Sequence, residues 1–378
     1  MTNPAPPPSP TTPCLIVSEH RMQANIERMA RGLRRHEVPL RPHLKTCKNI
    51  EIARRLLAGQ PGHATVSTLA EADYFFAHGI EDLLYAVGIA PGKLDAIAER
   101  MAAGMSLTLV LDHVDTARAV GAAAHRLGCR FRLLLEIDCD GQRAGFQPQD
   151  DGLLEAAAIL AEKGCEVAGV MVHAGGSYHC RDTDCIRAMA ERERLAAVTA
   201  AQRLRKAGHA AAVVSVGSTP TATFAENFDG VTEVRAGVHV FQDLVMVGLG
   251  VCAEDDIALS VLTEVIGHRP DTGQAIIDAG WMALSRDRGT AGQSRDTGYG
   301  LVRGQPGAAD VIVQATNQEH GLIGHRDGRP LELERYPIGH RLHILPNHAC
   351  ATAGQHAGFW LQSEGEKAMR WLPRCSGW

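Results

Sequence analysis

The sequence lacks the features that mark membrane-spanning and exported proteins. It contains no run of eighteen apolar residues, so no segment is long enough to cross a bilayer as a helix. The N-terminal segment MTNPAPPPSPTTP is rich in proline and has neither the charged region nor the apolar core of a secretory signal. We therefore expect a cytoplasmic protein in which residues 1–11 form a mobile arm.

A basic surface and a disulfide framework are absent as well. The chain has 38 Lys and Arg residues against 43 Asp and Glu, and the net charge of −5 argues against nucleic acid or an anionic membrane as the main partner. The ten cysteines follow no regular spacing, and no C-x-x-C motif occurs. Without an export signal, we expect reduced thiols, most of them small core residues.

Short apolar runs alternate with helix-like segments from about residue 12 to 245. About nine runs qualify as strands, among them PCLIV, LRPHLKT and FRLLLEID, and this number leaves room for one peripheral strand. Strands that alternate with helices of this length indicate βα units and a parallel sheet. Roughly eight units match the size of a (β/α)8 barrel. A doubly wound sheet is the competitor, and the absence of G-x-G-x-x-G after the first strand weakens it.

The pattern changes after residue 245. Runs such as DVIVQATNQEHGLIGH and HRLHILPNHACAT are short and β-like, with glycine-rich turns and little helical periodicity. We predict an α/β plus β architecture, in which a barrel over residues 12–245 is followed by a separate β domain over residues 246–378.

Candidate functional residues follow the predicted barrel strands, at the face where barrel enzymes carry their active sites. Lys45 ends the short strand in LRPHLKTCK; a buried lysine loses its proton easily and traps carbonyl compounds, whereas a solvated loop lysine does not. The segment SVGSTPTA offers the N–H groups and hydroxyls of Gly217, Ser218 and Thr219 to a phosphate. A simple polar turn is the alternative there.

Three further segments end predicted strands at the same rim. VHAGGSY carries His173 and Tyr178, although a single histidine is more often structural. Arg143 lies in the acidic segment EIDCDGQRAGF, which could equally be a solvated loop. Arg235 and Gly237 belong to TEVRAGVHVFQD, where an Arg–Glu ion pair without a catalytic role is the alternative.

The segment LPNHACAT places His348 two residues before Cys350. If this segment is a strand, both side chains point to the same face. Structural zinc needs four protein ligands, so a pair fits a catalytic metal with open positions. A thiolate with an imidazole favours zinc, while manganese, cobalt or magnesium suit a site completed by oxygen atoms. The segment NQEHG adds Gln318, Glu319 and His320 as candidate neighbours of substrate or metal.

Together and in this order, the motifs resemble the metal-dependent branch of the fold-type III pyridoxal-phosphate (PLP) enzymes, which share the fold of alanine racemase. The similarity extends from TPCLIV to the C-terminal GW and rests on RPHLKTCK, HAGGSY, VGSTPT, EVRAGVHVF, DAGWMALSRDRG, NQEHG and LPNHACAT. It implies an N-terminal PLP barrel, a C-terminal β domain and a homodimer with active sites at the interface.

The resemblance also implies roles for single residues. Lys45 would carry PLP covalently, and His348 and Cys350 would be the protein ligands of the metal, with Glu319 and His320 close to it. The family often has tyrosine at the position of His239. The residues implied to contact the cofactor besides Lys45 are His173, Tyr178, Gly217, Ser218, Thr219, Arg235, Gly237 and His239.

The activity implied by the resemblance is dehydration of β-hydroxy D-amino acids. D-threo-3-hydroxyaspartate would give oxaloacetate and ammonia, and D-serine would give pyruvate. Cysteine at the position of Cys350 is the pattern of the dehydratases, whereas aldolase members typically have aspartate there. Retro-aldol cleavage to glycine and an aldehyde is the alternative. A non-catalytic PLP-binding protein is the alternative of another class, but such proteins are typically shorter and lack the metal pair.

Overall fold

In this computed structural model, which describes residues 9–303, 310–366 and 368–378, the chain forms two units. One unit contains Arg28–Gly237 and the last two residues, and the other combines the segment that ends at Glu27 with Val238–Ser376. These bounds differ from the predicted 12–245 and 246–378, because the N-terminal segment belongs with the C-terminal unit. Residues 1–8 of the predicted arm lie outside the described residues.

The first part of the chain alternates strands and helices, as predicted. Its elements are β1 (Cys14–Ser18), α1 (Glu19–Arg34), β2 (Leu40–Pro42), α2 (Ile50–Leu57), β3 (Ala64–Val66), α3 (Leu69–Ala77), β4 (Asp82–Gly88), α4 (Leu94–Ala102), β5 (Ser106–Leu111), α5 (Val114–Leu127), β6 (Arg132–Ile137), α6 (Asp151–Glu162), β7 (Glu166–Val172), α7 (Thr183–Lys206), β8 (Val213–Val216), α8 (Thr219–Phe224) and β9 (Glu233–Ala236).

The second part consists mainly of strands. Its elements are α9 (Leu244–Gly248), β10 (Leu259–Arg269), β11 (Gln274–Ile277), α10 (Trp281–Leu284), β12 (Leu301–Arg303), β13 (Val311–Thr316), β14 (Gly321–His325), β15 (Arg341–Leu345), α11 (Ala349–Ala353), β16 (Gly358–Gln362) and β17 (Arg370–Pro373).

Strands β2 to β9 form an eight-stranded parallel sheet in the order β2-β9-β8-β7-β6-β5-β4-β3. A parallel bridge between His43 and Thr65 joins its two ends, so the predicted (β/α)8 barrel is confirmed. Barrel strands are covered on both faces and therefore read as nearly continuous apolar runs, such as SLTLVL in β5. Five buried residues of neighbouring strands form one core cluster: Leu84, Val110, Leu134, Ala168 and Met171.

Short-range sequence signals begin and end several barrel helices. The side chains of Asn49, Thr68 and Asp182 accept backbone N–H groups in the first turns of α2, α3 and α7. Gly128 ends α5 in the left-handed conformation, at φ 62°. Because the eight strands run parallel, their C-terminal ends and the loops that follow them lie at one rim.

Strand β1 does not belong to the barrel. It pairs antiparallel with β10 and parallel with β16, inside a nine-stranded sheet with the order β11-β14-β13-β12-β15-β10-β1-β16-β17. The prediction of PCLIV as a barrel strand is therefore wrong, although one strand beyond the eight of the barrel was expected to be peripheral. An apolar run looks the same in either sheet, because its partners are distant in sequence. The predicted C-terminal β domain is confirmed.

Two predictions about composition have separate outcomes. Cys180 and Cys185 form a disulfide, so the expectation of reduced thiols is wrong for this pair, while the other eight cysteines are not disulfide-bonded. The pair lies five residues apart at the entrance to α7, a spacing that matches no framework motif. Within the described residues, no helix is both long and apolar enough to cross a membrane.

Candidate active site

Lys45 follows β2 at the C-terminal rim of the barrel, where the sequence places it. Its side chain is exposed. The turn after Lys45 is held by Lys48, which has a positive φ of 47° and pairs with Glu71 at 3.0 Å. Glu71 is buried and also accepts the N–H of Ser67 at 2.7 Å. The backbone around Lys45 is thus tied to α3.

His43 lies beside Lys45 and was not predicted as a site residue. Its Nδ1 is 3.5 Å from the N–H of Lys45, and its Nε2 is 3.5 Å from the hydroxyl of Ser67. Burial, followed by the positive charges of Lys45 and Arg235, holds the pKa of His43 well below its usual value. His43 is therefore neutral at neutral pH. Strand periodicity could not have identified it, because β2 ends at Pro42, before both residues.

The loop after β7 brings His173 and Tyr178 to the rim, as predicted. The Nδ1–H of His173 donates to the carbonyl oxygen of Gly217 at 3.2 Å, and the ring centroids of His173 and Tyr178 are 6.2 Å apart. Burial, then the charges of Arg143, Arg235 and Lys45, lower the pKa of His173 to about 3, although its hydrogen bond to Gly217 acts in the opposite direction. These electrostatic effects show that Lys45, His173 and the two arginines share one region.

The loop after β8 has a conformation that requires glycine at position 217. Gly217 has a φ of +124°, and a Cβ there would lie 2.4 Å from the carbonyl oxygen of Arg235. Ser218 caps α8, because its Oγ accepts the N–H of Thr221 and also lies 3.1 Å from the Oγ of Ser177. The hydroxyl of Ser218, predicted to serve a phosphate, is thus engaged within the protein. The N–H groups of Gly217 and Ser218 are engaged as well, with Glu193 at 3.0 Å and with Thr221 Oγ1 at 2.9 Å, so the backbone cradle that this loop would offer to a phosphate is the start of α8 beside Gly217.

Arg235 does not form the ion pair with glutamate that was the alternative for it. It donates to the Oγ of Ser215 at 2.6 Å and to the carbonyl oxygen of Val172 at 2.5 Å. Ser215 in turn donates to Glu233 at 2.6 Å, and the ion pair of Glu233 is with Arg41 at 2.8 Å. A chain of hydrogen bonds therefore connects the barrel interior to the guanidinium of Arg235.

Two further predicted residues complete this rim. Arg143 is 54% exposed, lies 3.6 Å from buried Glu136, and so keeps a guanidinium available to an anionic ligand. A Cβ at Gly237 would lie 2.9 Å from the carbonyl oxygen of His43, so glycine permits β9 to end against the strand of Lys45. The structure thus groups Lys45, His173, Arg143 and the Gly217 loop at one rim of the barrel.

His348 and Cys350 come together, but not on a strand. Strand β15 ends at Leu345, His348 is the N-cap of α11, and Cys350 is in its first turn. The two side chains nevertheless interact, since Cys350 raises the pKa of His348. The predicted pair is therefore brought together by a strand-to-helix turn, and the strand predicted over both residues is wrong.

Asp287 orients the imidazole of this pair. Its Oδ2 lies 3.1 Å from Nδ1 of His348, which leaves Nε2 for a metal, as is usual when a carboxylate holds a ligating histidine. Burial alone would lower the pKa of His348, but the hydrogen bonds to Asp287 and Cys350 raise it to about 11. Asp243 is buried and accepts the N–H of Ala349 at 2.9 Å, which fixes the start of α11.

This donor set fits a divalent metal with two protein ligands. An imidazole nitrogen and a thiol sulfur are the ligand types that zinc accepts, and the hydrogen bond of Asp287 supplies the usual outer support. Among the described residues, no group of three or more His, Cys, Asp or Glu side chains has metal-binding geometry. Two ligands would leave positions open for water and substrate.

The remaining predicted residues lie elsewhere in the C-terminal unit. Gln318, Glu319 and His320 are exposed in the turn between β13 and β14, and their place beside substrate or metal stays a prediction. A turn residue carries no signal for what it faces, and their placement could not be read from the sequence. His239 is 1% exposed, and burial lowers its pKa to about 4.

Two family models match successive parts of the chain. The model described as "Alanine racemase, N-terminal domain" matches residues 17–244, and the model described as "Putative serine dehydratase domain" matches residues 258–361. The first match covers more than half of the chain. Both follow the order of barrel and β domain seen in the structure.

Individual proteins are similar over nearly the whole chain. A D-threo-3-hydroxyaspartate dehydratase of Delftia sp. (strain HT23) is 46% identical over 97% of this chain and 98% of its own. A D-serine dehydratase of Dictyostelium discoideum is 27% identical, over 92% of each chain. The solved structure of the Delftia enzyme superposes with a TM-score of 0.94 at 45% identity, covering 98% of each chain, and so does a mutant of a D-threo-3-hydroxyaspartate dehydratase in the metal-free form.

Proposed function

Since this chain belongs to the alanine racemase-like, fold-type III family of PLP-dependent enzymes, we propose that it is a metal-dependent dehydratase of β-hydroxy D-amino acids. The preferred substrate is D-threo-3-hydroxyaspartate, which gives oxaloacetate and ammonia, and D-serine is a second substrate, which gives pyruvate. The observation that carries the proposal is the contact between His348 and Cys350 supported by Asp287, since neither a racemase nor a PLP carrier needs such a pair.

The barrel rim supplies the groups that would hold PLP. Lys45 would carry it covalently, the backbone cradle at Gly217 would receive its phosphate, and His173 and Tyr178 would lie against the ring. When bound, PLP acidifies the Cα–H bond of an attached amino acid, because its ring accepts the developing negative charge. The glycine at position 217 supports this fit, since a Cβ there would lie 2.4 Å from the carbonyl oxygen of Arg235 and the loop could not pass so close to β9.

Lys45 would then act as the base. With PLP and substrate bound, its amine would lie at the rim and would take the proton from Cα on its own side. A single base on one side selects one configuration, which accounts for the preference for D-amino acids. His43 and His173 stay neutral at neutral pH because burial lowers the pKa of each, so they can accept or donate hydrogen bonds without adding charge. The half-exposed guanidinium of Arg143 is a candidate partner for the second carboxylate of hydroxyaspartate.

The C-terminal unit supplies the metal ligands. Nε2 of His348 and the thiolate of Cys350 would hold the ion, and Asp287 would keep the imidazole in place. A Lewis-acidic metal stabilises the negative charge that develops on a departing hydroxide, which is otherwise a poor leaving group. The thiolate and imidazole favour zinc, and manganese, cobalt and magnesium are the other candidates.

Product analysis tests the proposal. Purified protein is incubated with PLP and with D-threo-3-hydroxyaspartate, D-serine or D-threonine, before and after chelation, and ammonia, 2-oxo acids, glycine and aldehydes are measured. We expect ammonia and oxaloacetate, loss of activity on chelation, and its return with zinc or manganese. Glycine with an aldehyde would make the protein an aldolase, and absence of any product would leave it a PLP carrier.

Two variants test the residues directly. After reduction with borohydride, peptide mapping of the wild type should place the cofactor on Lys45, and Lys45→Ala should carry none. Lys163→Ala is the matched control, because Lys163 is an exposed lysine paired only with Glu162. His348→Ala should lose metal and dehydratase activity. Sedimentation of the purified protein tests the homodimer that the family resemblance implies.

A further inference from the structure

A carboxylate occupies a core position of α7, the longest helix of the barrel unit. Glu193 is 2% exposed, although the side chains around it on the buried stripe of the helix are apolar. The proposed mechanism makes no use of it. The other buried residues of this stripe are Ile186, Ala190, Ala196, Ala197, Ala200, Ala201 and Leu204.

The carboxylate of Glu193 binds two loops at once. Its Oε1 accepts the N–H of Ala174 at 2.9 Å and the N–H of Gly217 at 3.0 Å. A further hydrogen bond joins the carboxylate to the side chain of Thr221, in α8. Ala174 follows β7 and Gly217 follows β8, so one side chain connects the loop of His173 with the loop of the backbone cradle.

Both backbone polar groups of Gly217 take part in this connection. His173 donates to the carbonyl oxygen of Gly217, and Glu193 receives its N–H, so both polar groups of this glycine are held from outside its own loop. The glycine is also in a conformation that other residues rarely adopt. Without an acceptor at position 193, two N–H groups would lose their partner in a region closed to water, which is costly.

We propose that Glu193 is a positioning residue that holds the loop after β8 in the form that binds the phosphate of PLP. It acts through the reach of its oxygen and not through its charge. One oxygen accepts both N–H groups, which a glutamine oxygen can do equally well, whereas the shorter aspartate cannot reach both. This inference rests on the proposed function, since that function assigns the phosphate to the cradle at Gly217.

The test compares PLP with pyridoxal, which lacks the phosphate. Dissociation constants of both are measured on PLP-free protein for the wild type and for Glu193→Gln, Glu193→Asp and Glu193→Ala. Glu191→Gln is the matched control, because Glu191 lies on the same helix in a surface ion pair with Arg194. Thermal unfolding of each PLP-free variant reports whether it folds. Alanine suits this stripe, which is already rich in alanine, and it favours helix formation.

We expect the preference for PLP over pyridoxal to stay within about threefold of wild type in Glu193→Gln and in the control. In Glu193→Asp and Glu193→Ala it should fall by about tenfold or more, as expected when a buried donor loses its acceptor. Binding of pyridoxal should change little in every variant. A residue with a merely structural role would weaken both ligands alike.

Four results would overturn the proposal. The first is an unchanged preference for PLP over pyridoxal in Glu193→Asp and Glu193→Ala, and the second is a loss of that preference in Glu193→Gln as large as in Glu193→Asp. The third is an equal loss of affinity for PLP and for pyridoxal. The fourth is that neither Glu193→Asp nor Glu193→Ala folds while Glu193→Gln does. If only one of the aspartate and alanine variants folds, the preference of that variant for PLP over pyridoxal decides the test. If the wild type does not bind PLP at Lys45, both the proposed function and this inference are wrong. If the wild type binds PLP and the Glu193 variants keep its preference for PLP over pyridoxal, only this inference is wrong.

Discussion

Asp287 offers the sharpest test of the metal pair, because its carboxylate makes two hydrogen bonds that an amide cannot reproduce together. Oδ2 accepts from Nδ1 of His348 at 3.1 Å, and Oδ1 accepts the N–H of Gly289 at 2.7 Å. In Asp287→Asn, one of these donors faces the NH₂ group whichever way the amide lies. The substitution therefore preserves the shape of the side chain and removes at least one bond.

The expected loss follows from the exposure of the pair. Loss of an outer partner of a metal-bound histidine typically weakens metal binding by about 10- to 100-fold. The side chains of His348 and Asp287 are 43% and 28% exposed, so water replaces part of the lost bond. For Asp287→Asn we therefore expect the lower end of this range, a loss of zinc affinity of about tenfold, which corresponds to about 1.4 kcal/mol of binding free energy.

Competition with a coloured chelator measures this change. Zinc dissociation constants are determined at one pH for the wild type, Asp287→Asn, His348→Ala and the control Asp327→Asn, in which an exposed aspartate paired with Arg329 is replaced. His348→Ala should lose more affinity than Asp287→Asn, and the control should lose none. Wild-type affinity in Asp287→Asn alongside a large loss in His348→Ala would refute the orienting role of Asp287. Unchanged affinity in both would place the metal elsewhere.

Three further predictions address stability. Gly217→Ala should lower the free energy of unfolding of the PLP-free protein by about 1–3 kcal/mol in urea, because its φ of +124° strains any side chain; an unchanged midpoint would contradict the glycine requirement. Glu233→Gln should lower the free energy of unfolding by about 3 kcal/mol, the lower end of the range for a broken buried ion pair, because Arg41 keeps Asp82 as a partner at 3.0 Å. A loss below about 1 kcal/mol would show that other polar groups of the barrel stabilise the charge of Arg41. The pKa of His239 is about 4 in the folded protein against 6.5 normally, so the folded state binds fewer protons between these values. The contribution of His239 to the free energy of unfolding is then fully present above pH 6.5 and falls by up to about 1.4 kcal/mol per pH unit towards pH 4. A plot of that free energy against pH should be flatter for His239→Gln over this range.

The barrel could be predicted because its signals are local. Each βα unit consists of an apolar run and a helix with its own caps, and eight such units in succession leave few alternatives. Strand β1 shows where this reasoning stops. CLIVS is as apolar as a barrel strand, yet its partners Leu262 and Trp360 lie hundreds of residues away, and only the assembled sheet reveals them.

The candidate site was predictable in its residue types but not in its geometry. His348 and Cys350 were identified from their spacing on an assumed strand, whereas a turn into α11 brings them together. An N-cap residue lies outside the regular helix, so its side chain can meet that of the second helical residue, as two side chains on one face of a strand can, and spacing alone does not decide between the two arrangements. Lys45 was found by its position after a short strand, but its exposure depends on what fills the rim.

Glu193 carries a signal that the sequence contains and that no motif describes. The buried positions of α7 recur with the helical period, and a charged residue on that stripe must find hydrogen-bond donors or lose its charge. This anomaly predicts a buried polar contact at position 193 without saying where the donors are. They belong to residues 19 and 24 positions away in sequence, on loops whose meeting depends on the order of β7 and β8 in the closed barrel. A charged residue at a buried position of an apolar stripe therefore points to a residue worth substituting, and the topology then identifies the loops that its side chain holds.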